Sequence, residues 1–334
     1  MSGKTTLDLS KNFIWIVIGA IACIGIIGAF YLSTQVFGQA FSSSEKFSEL
    51  QKTVRLLKNK TTDLEKTIKL ELDKENPNFE PIKVQLASVK ELNEDAKKLI
   101  GEINPETLPE SSKKVLKAYS IQTEAFTYEC QALENIITAF ESITLAEAAL
   151  PSNLLSANYS LIKNELQNAK EKMNEGYKLA NKTLETMNKI DESEFPLEER
   201  EEWRAEKKEL SWFLEFAPDT ITLLDGVMKA IDGIEKMANV EKILSSSQEL
   251  DNSTLDSCLR EIDGAIAIWS QSKAKFNQIT QSKVPPIRAE AIALITWLDA
   301  NIEASQHLEN AINYLKEGDE ESAARELLLA GIGE

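Results

Sequence analysis

The chain has 334 residues, 43% of them hydrophobic, with 54 Asp and Glu against 37 Lys and Arg. This apolar content excludes a disordered chain, and the formal net charge of -17 disfavours nucleic acid as a partner because phosphate would be repelled. Only 13 Gly and 9 Pro occur in the whole sequence. Few helix breakers among many helix formers predict an all-α protein built from long helices.

The first predicted element is an apolar segment at 12–32, which carries no charged side chain from Phe13 onward. About twenty such residues are long enough to cross a bilayer as a helix. The segment therefore predicts a single-pass cell-membrane anchor, with the lipid bilayer as a partner. Lys4 and Lys11 precede it and predict a short cytoplasmic tail at 1–11, which places the large C-terminal domain outside the cytoplasm.

Two alternatives to this topology stay open. Gly38 and Ala40 form a small-x-small pattern before Phe41, which is typical of a cleaved secretory signal. The apolar run is longer than the usual 7 to 15 residues of such a signal, and this length favours a retained anchor. Lys46 and Lys52 follow the run and would favour the inverted orientation if they lay close to the bilayer.

Residues 2–6, SGKTT, resemble the end of a phosphate-binding P-loop. The motif also needs an upstream glycine and a preceding strand, and the sequence supplies neither. Nucleotide binding is therefore not expected at this segment.

A heptad-rich helical bundle is predicted over 33–195, beginning with a stalk-like helix at 44–75. The apolar seam of that helix repeats at alternating steps of three and four residues, as in a coiled coil. Its members are Phe47, Leu50, Val54, Leu57, Thr61, Leu64 and Ile68. Three further helices are predicted at 81–103, 109–151 and 154–190, and their short connections predict antiparallel neighbours in an elongated bundle.

A second helical bundle is predicted over 196–334. Pro218 is expected to interrupt its first helix, because proline removes a backbone donor and clashes with the preceding turn. Helical patterns continue at 221–244 and 253–276, and the chain is expected to end in a helical hairpin that begins near Ile287.

That hairpin resembles a helix-turn-helix of the tetratricopeptide type at Tyr314, Gly318, Ala323 and Leu327. The resemblance covers about one repeat, and a stable stack needs three or more. No period of about thirty-four residues recurs upstream. The segment is therefore interpreted as a generic helical hairpin.

The soluble part contains two cysteines, Cys130 and Cys258. Both fall within apolar helical patterns, which favours buried free thiols that pack as small hydrophobic side chains. One disulfide between them is the alternative for an exported domain.

Few residues are candidates for catalysis or metal binding. His307 is the single histidine, so a His-rich zinc site or a Ser-His-Asp triad is disfavoured, and an exposed side chain without a role is expected. The carboxylate-rich segments 198–202 and 319–321 are interpreted as helix beginnings, where the helix dipole favours acids. Five aromatic side chains are expected to pack in the core rather than form a recognition surface: Trp203, Trp212, Phe213, Trp269 and Trp297.

These patterns predict no catalytic, cofactor-binding or metal-binding residues and no enzyme activity. The leading hypothesis is a membrane-anchored helical scaffold or surface-assembly subunit that acts by contact with other proteins. Self-association into a homo-oligomer is compatible with it. The alternative is an extracytoplasmic ligand-binding or sensory helical module that works with a partner chain.

Overall fold

The computed structural model describes residues 45–332 except 73, 75–76, 150–155, 192–196 and 248–250. These residues form α-helices and one 3-10 turn, with no strand among them, and they confirm the all-α prediction. The helices are α1 (Glu45–Leu72), α2 (Glu80–Glu102), α3 (Glu110–Ala148), α4 (Tyr159–Met187), α5 (Leu197–Ser246), α6 (Asn252–Ile279), α7 (Pro285–Glu317) and α8 (Glu320–Leu329), and the 3-10 turn spans Pro105–Thr107.

The predicted localisation requires a correction. Within the described part of the chain, no helix combines the length and the apolar character that crossing a bilayer needs. This finding contradicts the prediction of a single-pass cell-membrane protein. The segment at 12–32 that carried the prediction, the tail at 1–11 and the P-loop-like residues 2–6 all lie outside the described residues.

The heptad seam of α1 is confirmed, because all seven predicted members are buried. Thr61 is accommodated in this apolar seam because its hydroxyl donates to the carbonyl of Leu57, one turn earlier in the helix, at 2.9 Å. Helix α1 packs along α2, which buries Ile82, Leu86, Val89, Asn93 and Ala96.

The predicted break at Pro218 is wrong, because α5 continues through this residue from Leu197 to Ser246. Proline at this position lacks one helical hydrogen bond, but the adjacent Phe216 and Ala217 are buried. The hydroxyl of Thr222 also donates to the carbonyl of Pro218 at 2.8 Å. Burial of these neighbours offsets the loss that a proline causes in an isolated helix.

The described residues divide into two compact units. We call residues 45–141 with 171–217 the groove unit, and residues 142–170 with 218–332 the glycine unit. Helices α3, α4 and α5 each contribute one part to either unit. The consecutive bundles at 33–195 and 196–334 stay a prediction.

The core of the glycine unit contains a contact between α5 and α6 that depends on two glycines. Gly226 and Gly233 lie seven residues apart on α5, and a Cβ atom at either position would overlap the ring of Phe276 or Trp269 on α6. Trp269 Nε1 donates to the carbonyl of Ala230 at 3.0 Å. Because glycine has no Cβ, the two aromatic rings reach the backbone of α5.

The C-terminal hairpin is observed as α7 and α8. Gly318 ends α7 in the left-handed conformation, with φ of 81°, and the N–H of Asp319 donates to the carbonyl of Tyr314 at 2.9 Å. Asp319 then caps α8, since its Oδ1 accepts from the N–H of Ser322 at 3.0 Å. Glycine suits this turn because it adopts positive φ without steric strain.

Candidate functional site

A groove of about 470 Å³ lies between α2 and α3 in the groove unit. It is lined by Lys83, Leu86, Ala87, Lys90, Glu134, Ile137 and Thr138. Leu86 and Ile137 are buried and form an apolar floor, while Ala87 is exposed. The spacing of i, i+4 and i+7 places Lys83, Ala87 and Lys90 on one face of α2.

Two ion pairs cross the groove between α2 and α3. Lys83 Nζ is 2.5 Å from Glu141 Oε1, and Lys90 Nζ is 2.8 Å from Glu134 Oε2. The hydrogen bond to the Glu141 carboxylate raises the pKa of Lys83, so this amine stays charged. Because both lysines and both glutamates are seven residues apart, the pairs are separated by about 10 Å along the helices. The groove thus has an apolar floor, and a lysine–glutamate pair borders it at two places.

A buried amide fixes α2 against α3. Asn93 Nδ2 donates to the carbonyl of Thr123 at 3.1 Å and to Thr127 Oγ1 at 2.9 Å. Asn93 Oδ1 has no hydrogen-bond partner among the described residues, although the atom is buried. The two donated bonds hold the helices in register because a buried polar group loses free energy when it is left unpaired.

A half-buried acid lies on another face of α3. Burial raises the pKa of Glu129 to about 8, and the negative charge of Glu65 on α1 adds to the rise. Gln122, one heptad earlier on α3, is buried. At neutral pH the Glu129 carboxyl therefore holds a proton, which spares the core a desolvated negative charge.

His307 differs from its predicted idle role. Its Nδ1 lies 2.6 Å from Glu326 Oε2, and the pair joins α7 to α8. The hydrogen bond to His307 lowers the pKa of Glu326. The half-buried histidine is therefore part of the hairpin contact, and the expectation of an exposed side chain without a role is wrong.

The other candidate residues mostly have packing roles. Cys130 and Cys258 are free and buried, as predicted, and burial raises the pKa of both thiols. Phe213 and Trp269 are core residues, whereas Trp212 is exposed. Trp297 is half-buried and meets Trp269 edge to face with ring centroids 6.2 Å apart. The side chain of Trp203 is not among those that the structure describes.

The acidic segment 319–321 is a helix beginning, as predicted, because Asp319 caps α8 and Glu320 and Glu321 occupy its first turn. Backbone hydrogen bonding by Ser322 lowers the pKa of Asp319. The segment 198–202 begins α5, but its side chains lie outside the description. Within the described residues, no group of three or more His, Cys, Asp or Glu side chains is arranged to hold a metal ion.

Sequence reasoning missed the groove, although the chain carries a signal for it. Lys83 and Lys90 repeat at the same seven-residue interval as Glu134 and Glu141. Such charges are usually interpreted as a solvated helix face. The matching intervals show only that each set lies on one face, and the pairing of α2 with α3 decides that the two sets meet.

Comparisons with protein-family models, with curated proteins and with solved structures gave no match to this chain.

Proposed function

We propose that this protein is a non-catalytic helical scaffold that works by protein–protein contact, and that the groove between α2 and α3 receives a helix of its partner. The single observation that carries the proposal is the apolar floor of Leu86 and Ile137 between two Lys–Glu pairs one heptad apart. An amphipathic helix binds such a groove by placing its apolar stripe on the floor and its charged residues against the rims.

The state of the reactive side chains supports a function without catalysis. The thiols of Cys130 and Cys258 are buried and have raised pKa values, and a nucleophilic cysteine needs the opposite environment. His307 is in contact with Glu326 in the α7–α8 hairpin. The two thiols and the imidazole are therefore interpreted as packing and contact groups of the fold.

Net charge supports a protein partner over nucleic acid. The chain carries a formal charge of -17, so a polyphosphate backbone would be repelled over most of the surface. A helix that carries both signs of charge fits the groove better. The α2 side of the groove carries lysines, the α3 side carries glutamates, and Lys90 and Glu134 are partly exposed.

A photo-crosslinking amino acid at position 87 tests this proposal on the full chain. Ala87 is exposed inside the groove, and the matched control is Ala148, an exposed alanine at the end of α3 that does not line the groove. After irradiation in cells that make the protein, we expect position 87 to give a discrete protein adduct whose cross-linked peptide maps to a helix. Position 148 should give none. Equal labelling at both positions, or no protein adduct at position 87, would contradict the proposal.

A second candidate function is small-ligand binding, as in a sensory module. The groove volume of about 470 Å³ falls in the range of ligand pockets and is the observation that favours this alternative. Native mass spectrometry of the purified full chain tests it. A stoichiometric small molecule that is lost in an Ala87→Trp variant would favour ligand binding over helix binding.

A further inference from the structure

Helix α8 carries an exposed apolar surface. Its one buried residue is Ala323, while Leu328 and Leu329 are 64% and 58% exposed. The two adjacent leucines form a small apolar surface that a partner can cover.

The exposed face of α8 also carries both signs of charge. Glu321, Arg325 and Leu328 follow one another at steps of four and three residues, so they lie on one face of the helix. All three side chains are exposed. The face therefore presents an acid, a base and leucine within two turns.

This face complements the groove between α2 and α3 in length, polarity and charge. Ten residues of α8 span about 15 Å, which covers the interval of about 10 Å between the two Lys–Glu pairs. The leucines match the apolar floor between the two pairs, and Arg325 and Glu321 carry one charge of each sign, as each Lys–Glu pair of the groove does. A helix with charges of one sign would face repulsion from one member of each pair.

We propose that the groove receives α8 of a second copy of this chain. The inference rests on the proposed function and names the partner of the same groove. Because the groove and α8 are different surfaces, the contact is heterologous, and a pair of copies keeps one free groove on one copy and one free α8 on the other. Repetition of such a contact closes into a ring or continues as a filament.

Sedimentation velocity of the purified full chain over a concentration series tests the assembly. We expect the average mass to rise with concentration, and a Leu328→Glu, Leu329→Glu variant to weaken association at least about tenfold. The matched control is Leu70→Glu on α1, since Leu70 is 66% exposed and lies outside both surfaces. Arg325→Glu gives a second variant that leaves the leucines in place, and far-UV circular dichroism checks that each variant is folded.

Mixing two variants identifies the two surfaces. Ala87→Glu blocks the groove but leaves α8 intact, and the leucine variant leaves the groove intact. Each variant alone should be monomeric, whereas an equimolar mixture should form a 1:1 dimer and nothing larger. Persistent self-association of either variant would overturn the inference, because it would show a symmetric contact or another surface.

The outcomes separate this inference from the proposed function. A full chain that stays monomeric while position 87 cross-links to a different protein overturns the second copy as the partner and keeps the groove as a helix-binding site. A monomer without a protein adduct at position 87 overturns both.

Discussion

The α5–α6 contact in the glycine unit and the α2–α3 contact in the groove unit both join neighbouring helices, but different side chains form them. In the first, Trp269 and Phe276 fill the space left by Gly233 and Gly226. In the second, lysine and glutamate side chains join across an open groove. The comparison shows that the side chains between two paired helices decide whether the space between them is filled or stays open.

The two contacts also treat polar groups differently. Ser272 Oγ donates to the carbonyl of Gly226 at 2.7 Å, and Trp269 Nε1 donates to that of Ala230, so these polar groups are satisfied by the backbone of α5. Asn93 bonds one backbone carbonyl of α3 and also the hydroxyl of Thr127, and its own Oδ1 has no hydrogen-bond partner among the described residues. Close approach of the backbone is needed for the first arrangement, and the glycines permit it.

The largest effect is expected for Gly233→Ala. The added methyl group overlaps the indole of Trp269 and displaces its hydrogen bond to Ala230. We expect the free energy of unfolding to fall by about 3 kcal/mol, measured by urea unfolding, with faster hydrogen exchange in α5 and α6. Gly101→Ala is the control, because a Cβ at Gly101 meets nothing within 4 Å, and it should raise stability by about 0.5–1 kcal/mol. Equal effects at Gly233 and Gly101 would show that packing of the Trp269 ring does not depend on the missing Cβ of Gly233.

The next largest effect is expected for the pH dependence of stability that Glu129 causes in the groove unit. The pKa of Glu129 rises from its ordinary value of 4.5 to about 8 on folding, so between these two pH values the folded chain holds a proton that the unfolded chain releases. Stability should therefore fall as the pH rises through this window and then stay level. Glu129→Gln should remove this dependence and exceed the parent at pH 8.5 by on the order of a few kcal/mol.

Urea unfolding of both proteins from pH 4.5 to 8.5 measures the difference, which should become small at the acidic end. Glu91→Gln, at an exposed glutamate on α2, is the control and should leave the slope unchanged. A parent chain whose stability rises between pH 5 and 8, while Glu129→Gln shows the same rise, would refute the assignment.

The smallest effect is expected for the groove ion pairs. Lys90 and Glu134 are half-exposed or more, so their pairing energy is about 0.2–1 kcal/mol. A double-mutant cycle with Lys90→Met and Glu134→Gln, measured by urea unfolding, should give a coupling energy in this range that decreases with salt. A coupling energy above about 2 kcal/mol would mean that the ion pair, rather than Asn93 and the apolar floor, holds α2 against α3.

Local patterns predicted much of the fold. The stripe from Phe47 to Ile68 is buried as its spacing predicts, and the acidic segment 319–321 begins a helix as its charge predicts. Helix α2 shows the limit, because Asn93 is buried while the more apolar Leu92 and Leu99 of the same helix are half-buried. An asparagine becomes a core residue when another helix supplies its partners, and sequence spacing does not contain that information.

The candidate groove depended on tertiary structure for a similar reason. Lys83 and Glu141 are distant in sequence, and only the antiparallel register of α2 and α3 brings their charges to 2.5 Å. The heptad interval places the charges of each helix on one face but does not specify which helix that face meets.

Residue spacing in the sequence is enough to predict that this chain folds into long helices, where most of them begin and end, and that the seam of α1 faces inward. These properties depend on residues within a few turns, through periodicity, capping and proline geometry. Only the tertiary structure decided that α5 continues through Pro218, that three helices are shared between two compact units, and that charges on α2 and α3 border a groove. Each of these outcomes depends on which helix packs against which, and that choice follows from burial summed over the whole fold rather than from any local pattern.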